Sequence, residues 1–78
     1  MKVYILFSDK LNRYYVGQTS NLEKRLTRHN EAQVPSTKAG IPWKVIATFD
    51  VLNRSMAILL EKKIKARGAK RYLNDIGM

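Results

Sequence analysis

Val3-Tyr4-Ile5-Leu6-Phe7, then Ser8-Asp9-Lys10-Leu11-Asn12, then Tyr14-Tyr15-Val16-Gly17-Gln18-Thr19 is the stretch on which the fold turns. Two runs rich in β-branched and aromatic residues flank a short polar connection, which predicts an antiparallel hairpin. Ser20-Asn21-Leu22-Glu23 reads as a capping box, with Ser20 as N-cap and Glu23 at N3, so a helix is expected from about Asn21. Leu22, Leu26 and Ala32 supply its apolar stripe, Lys24, Arg25, Arg28 and His29 its positive charge, and it should end near Ala32. Val34 to Pro42 holds two prolines and a glycine and reads as a loop. A third strand is expected over Trp43 to Phe49, with Trp43, Val45, Ala47 and Phe49 alternating onto one face. Asp50 to Asn53 turns the chain into a long helix from about Arg54 to Arg67, closed by Gly68, and a short helix follows over Ala69 to Ile76. The expected architecture is one α+β domain spanning 1–78. It is a sandwich-like, three-stranded antiparallel sheet flanked by helices in the order ββαβαα.

Seventy-eight residues suit one small core, and with no cysteine there is no disulfide or thiolate site to staple it. That composition fits a reducing compartment, so a cytoplasmic location is expected. No apolar run approaches the roughly 20 residues of a membrane-spanning helix. Fifteen Lys and Arg against six Asp and Glu give a net charge of +9. Such a balance points to a polyanionic partner, nucleic acid ahead of a membrane surface.

Few side chains can carry chemistry. Glu61 lies beside the core stripe Ala57, Leu60 and Ile64, and is the only acidic residue between Asp50 and Asp75. Its plain structural reading is a local pair with a neighbouring lysine. Its functional reading is a lone carboxylate for one Mg²⁺, an ion that keeps several waters and shares the rest of its shell with substrate phosphate. Tyr4 and Tyr15 would usually supply core area; near cations, either phenol could accept a proton from water. Gly17 shares the face of Tyr15 and clears bulk from it. Arg25 offers bidentate phosphate binding, and His29, the only histidine, lies one helical turn further on. Lys24, Arg28, Lys38 and Lys65 are candidate contacts to a nucleic-acid backbone, and Asn74 is either a cap or a polar site residue. No zinc-type Cys/His cluster, glycine-rich phosphate loop or Ser/His/Asp set is present, so no small-molecule cofactor is expected.

Taken in order, Val3-Tyr4-Ile5-Leu6, Tyr15-Val16-Gly17 running through Arg25-Leu26, His29-Asn30, Thr37-Lys38-Ala39-Gly40-Ile41-Pro42-Trp43-Lys44 and Glu61-Lys62-Lys63-Ile64-Lys65 resemble the GIY-YIG nuclease superfamily. The likeness is to its small, single-domain bacterial members, described as excinuclease-like. Val3 stands where the first motif has its leading glycine. The resemblance implies a metal-dependent endonuclease acting on DNA in repair or recombination. In that reading Glu61 holds one Mg²⁺ or Mn²⁺ and Arg25 binds the scissile phosphate. Tyr4 or Tyr15 takes the proton from the attacking water with help from His29, and Asn74 falls near the family's late polar position. The competing expectation is a non-catalytic basic nucleic-acid-binding module on the same fold. An RNA-associated protein would need exposed stacking aromatics, whereas these look committed to the sheet.

Overall fold

The computed structural model describes residues 1–78. Strand β1 runs Lys2–Ser8, β2 Arg13–Thr19 and β3 Lys44–Asp50. Helix α1 spans Leu22–Asn30, α2 Arg54–Arg67 and α3 Ala69–Asp75. The sheet is antiparallel with order β2-β1-β3, so β1 is the central strand. Val3, Tyr4, Ile5 and Leu6 are fully buried in succession. That is the mark of a strand covered on both faces, and it explains why β1 reads as an unbroken apolar run. One face buries Tyr4, Leu6 and Trp43 with Tyr15, Leu22, Leu26 and Val45, under α1. The other packs Val3, Ile5, Val16 and Ala47 against Ala57 and Ile64 of α2 and Leu73 of α3. Val3, the residue in place of the motif's glycine, is therefore a core side chain on the α2 face. Burying aliphatic side chains of this size contributes about 1.5–3 kcal/mol each.

Four expectations are corrected. Trp43, Val45, Ala47 and Phe49 do not share a face: the β1–β3 register passes from Ile5↔Ala47 to Leu6↔Val45, leaving Ile46 as a bulge. The extra residue reverses the alternation, so Trp43 and Val45 pack on the α1 face while Ala47 and Phe49 pack on the other. The cap of α1 is Asn21, not Ser20. Asn21 Oδ1 accepts the Lys24 N–H at 3.1 Å, while buried Thr19 Oγ1 accepts the Asn21 N–H at 3.1 Å and holds the cap in place. Ala32 lies beyond α1 and is exposed. It ends the helix in a left-handed conformation (φ 60°), with Gln33 N–H donating to Arg28 O and Ala32 N–H to His29 O, a Schellman arrangement without glycine. Within the expected loop, Pro35–Gly40 forms a 3₁₀ helix that packs beside α1.

Candidate active site around Tyr4 and His29

The hairpin register sets Tyr4 directly opposite Gly17. The Tyr4 ring lies across that glycine so closely that a Cβ there would stand 2.6 Å from Tyr4 Cζ. Gly17 thus lets a large phenol lie flat over an edge strand. Helix α1 covers the same face and directs Arg25 and His29 onto it.

His29 is fully buried. Its Nε2 lies 3.1 Å from Tyr4 Oη and its Nδ1 lies 2.8 Å from Thr37 Oγ1. Thr37 Oγ1 donates to Val34 O at 3.2 Å, and Thr37 O accepts Trp43 Nε1–H at 2.6 Å. Asn30 clamps the same segment: its Nδ2 donates to Trp43 O at 3.0 Å and its Oδ1 accepts Trp43 N–H at 2.6 Å. The Tyr15 ring packs edge-on against His29, with centroids 5.0 Å apart, and against Trp43 at 6.2 Å. Tyr15 is half-buried and its hydroxyl makes no hydrogen bond, so the two phenols are not equivalent.

Electrostatics tie further residues to this centre. Burial pushes the Tyr4 phenol up to about 12; Tyr15 adds to the rise, the Arg25 guanidinium opposes it, and Glu61 adds to it. Arg25 stands near enough to act on the phenol yet pairs with no carboxylate. Burial also holds the His29 imidazole below its ordinary value, with Arg25 and Arg28 acting in the same direction.

Glu61 lies on α2, which packs against the edge strand β2 on the opposite side of the sheet from α1, and only its charge links it to the Tyr4 phenol. It is partly buried and accepts from Lys65 Nζ at 2.9 Å, so the local pair is formed and Lys65 is engaged with it. No group of three or more His, Asp or Glu side chains converges anywhere in the chain. A cation here has one carboxylate to bind. That donor set fits Mg²⁺ or Mn²⁺ completed by water and substrate phosphate, and does not fit an all-protein cage.

Lys24, Arg28 and Lys38 are exposed. Lys24 and Arg28 line a shallow groove of about 400 Å³ on the outer side of α1, together with Glu23, Thr27, Glu31 and Gln33. Its mixed charge and lack of aromatic groups set it apart from the tyrosine centre. Four of the six carboxylates are each paired with one cation, leaving most of the fifteen Lys and Arg side chains free for a polyanion. Asn74 is exposed on α3 and no hydrogen bond links it to the site. The residues missed by motif reading are Thr37, Asn30 and Trp43. Thr37 and Asn30 lie within the quoted motifs, but nothing in their spacing shows that they hold His29 and the 3₁₀ segment.

No helix is long and apolar enough to cross a membrane. No curated protein and no solved structure matches the chain. A family model described as the GIY-YIG catalytic domain matches residues 1–74. Nuclease activity on DNA and dependence on a divalent metal are general properties of such domains. With the match running over nearly its whole length, and with both tyrosine motifs, the basic helix and Glu61 inside it, the chain belongs to the GIY-YIG family.

Proposed function

We propose that this chain is a metal-dependent DNA endonuclease in which Arg25 binds the scissile phosphate and the Tyr4–His29 pair accepts the proton of the attacking water. The observation that carries the reading is the 3.1 Å approach of Tyr4 Oη to His29 Nε2. A buried phenol near 12 carries almost no phenolate at neutral pH and alone would be a poor base. A neutral imidazole against its hydroxyl supplies the missing acceptor. As the water proton moves to Tyr4 Oη, the phenol's own proton moves to His29.

Arg25, positively charged and free of any carboxylate, is placed to engage two phosphate oxygens and to stabilise charge developing on them. The Tyr4 side chain has no solvent exposure in the structure, so in this mechanism substrate binding must open the phenol to water. Tyr15 holds the imidazole ring in position from the side. Glu61 would hold the Mg²⁺ or Mn²⁺, which supplies charge neutralisation at the phosphate.

The Glu61–Lys65 ion pair favours a second reading, a binding module whose carboxylate is already satisfied. Both readings predict salt-sensitive DNA binding. A cleavage screen on plain, flapped and junction DNA with Mg²⁺ and Mn²⁺ separates them. The nuclease cuts at least one substrate, and Glu61→Ala or Arg25→Ala lowers the rate roughly 100- to 1000-fold with the fold intact. Equal cleavage by either variant overturns the site assignment, and no cleavage by wild type supports the binding module.

A further inference from the structure

We infer that Thr37 is a positioning residue that fixes the tautomer of His29, with the proton on Nδ1, so that Nε2 faces the Tyr4 hydroxyl as a lone-pair acceptor. The inference deepens the proposed nuclease mechanism and rests on it for its functional consequence, but not for the tautomer itself.

Both ends of the hydrogen-bond chain impose the same direction. At one end Thr37 Oγ1 has a single hydrogen, which it donates to Val34 O at 3.2 Å. A carbonyl only accepts, so toward His29 Nδ1, 2.8 Å away, the Thr37 hydroxyl is left as an acceptor and Nδ1 must carry the hydrogen. A neutral imidazole has one N–H, so Nε2 is bare and accepts from Tyr4 Oη at 3.1 Å. At the other end Tyr4 is fully buried, and the nearby guanidinium of Arg25 offers donors only. The opposite tautomer would give Nε2 a hydrogen and leave the Tyr4 hydroxyl hydrogen buried with no acceptor. The proton order is therefore Tyr4 to His29 to Thr37 to Val34.

Thr37 is itself held rigidly. Its carbonyl receives Trp43 Nε1–H at 2.6 Å, and the Trp43 ring lies so close over Gly40 that a Cβ there would stand 2.7 Å from Cε2. The 3₁₀ helix thereby serves to present one hydroxyl to the far side of the histidine.

The tautomer is read directly from the ¹⁵N shifts of the ring nitrogens at a pH where His29 is neutral. Wild type should show a pyrrole-type Nδ1 and a pyridine-type Nε2. Thr37→Val, nearly the same shape without the hydroxyl, takes the acceptor from Nδ1–H and leaves only the Tyr4 hydroxyl favouring that form. The ring should then become a mixture of the two tautomers, and single-turnover cleavage should fall about 10- to 100-fold. Thr37→Ser should restore the wild-type shifts and most of the rate. Tyr4→Phe, which leaves Thr37 untouched, should keep the Nδ1–H form. A wild-type-like ring in Thr37→Val, or a tautomer that reverses in Tyr4→Phe, overturns the inference, the latter even if Thr37→Val fails to fold. If wild type cuts no DNA the nuclease reading falls, and the ¹⁵N spectra alone then decide the role of Thr37.

Discussion

Tyr4 Oη and His29 Nε2 lie 3.1 Å apart with both side chains shut off from solvent, and burial drives each toward its neutral form. For His29 the direction is downward from 6.5, so below that value the unfolded chain binds a proton that the folded one resists. Stability rises with pH wherever the unfolded state holds more protons. The contribution is therefore complete above about pH 6.5 and is lost as pH falls through the lowered folded value. Thermal unfolding followed from pH 8 to pH 4.5 should show this loss in wild type and a shallower one in His29→Gln. Parallel curves would mean that the imidazole is not buried in its neutral form.

The phenol titrates in the opposite sense. Tyr4 is raised to about 12, so the folded protein keeps a proton that the unfolded chain releases near 10. Stability from this group is full below pH 10 and falls as pH rises through about 12. Absorbance near 295 nm should show one tyrosine ionising at about 12, and that step should vanish in Tyr4→Phe. Its persistence in the variant would assign it elsewhere.

Gly17→Ala should be costly despite adding a single methyl group. That methyl would stand 2.6 Å from Tyr4 Cζ, so the ring must leave its place and the bond to His29 with it. Overpacking of this kind costs roughly 1–3 kcal/mol. Urea denaturation should show a lowered midpoint, and cleavage should fall with it. A variant as stable and active as wild type would show that the phenol does not need to lie over β2.

In the proposed mechanism Lys65 and the divalent cation would compete for the Glu61 carboxylate. The Glu61–Lys65 pair at 2.9 Å is partly exposed, a class of ion pair worth up to ~1 kcal/mol. Lys65→Met should therefore tighten Mn²⁺ binding by about 2- to 5-fold, measured by titration calorimetry or Mn²⁺ paramagnetic resonance. Glu61→Gln should abolish it. Unchanged affinity in Lys65→Met would place the ion away from Glu61.

The hairpin, the basic helix and the order of elements were legible because each rests on local pattern: two β-rich runs with a short link, an apolar stripe, and turn residues between them. Gly17 could be read as clearance without showing that Tyr4 fills it. The bulge at Ile46 was not legible, because strict alternation of Trp43, Val45, Ala47 and Phe49 is the simplest strand pattern. Only packing on two opposite faces requires the extra residue. The cap moved from Ser20 to Asn21 because buried Thr19 ties down the backbone beyond it, a tertiary effect on a local signal. Thr37 was hidden for a different reason. Its neighbours Pro35, Ser36 and Gly40 spell a loop, and its partner His29 is met only when the 3₁₀ helix folds beside α1.

The two phenols carry the central claim, because only one has an acceptor for its proton. Single-turnover cleavage of a DNA substrate by Tyr4→Phe and Tyr15→Phe, each checked for wild-type fold, compares them directly. Loss of the Tyr4 hydroxyl should lower the rate by roughly 100- to 10,000-fold, the range of a general base. Loss of the Tyr15 hydroxyl, which leaves the ring against His29, should have the smaller effect. Wild-type cleavage by Tyr4→Phe, with cleavage lost in Tyr15→Phe, would contradict the account.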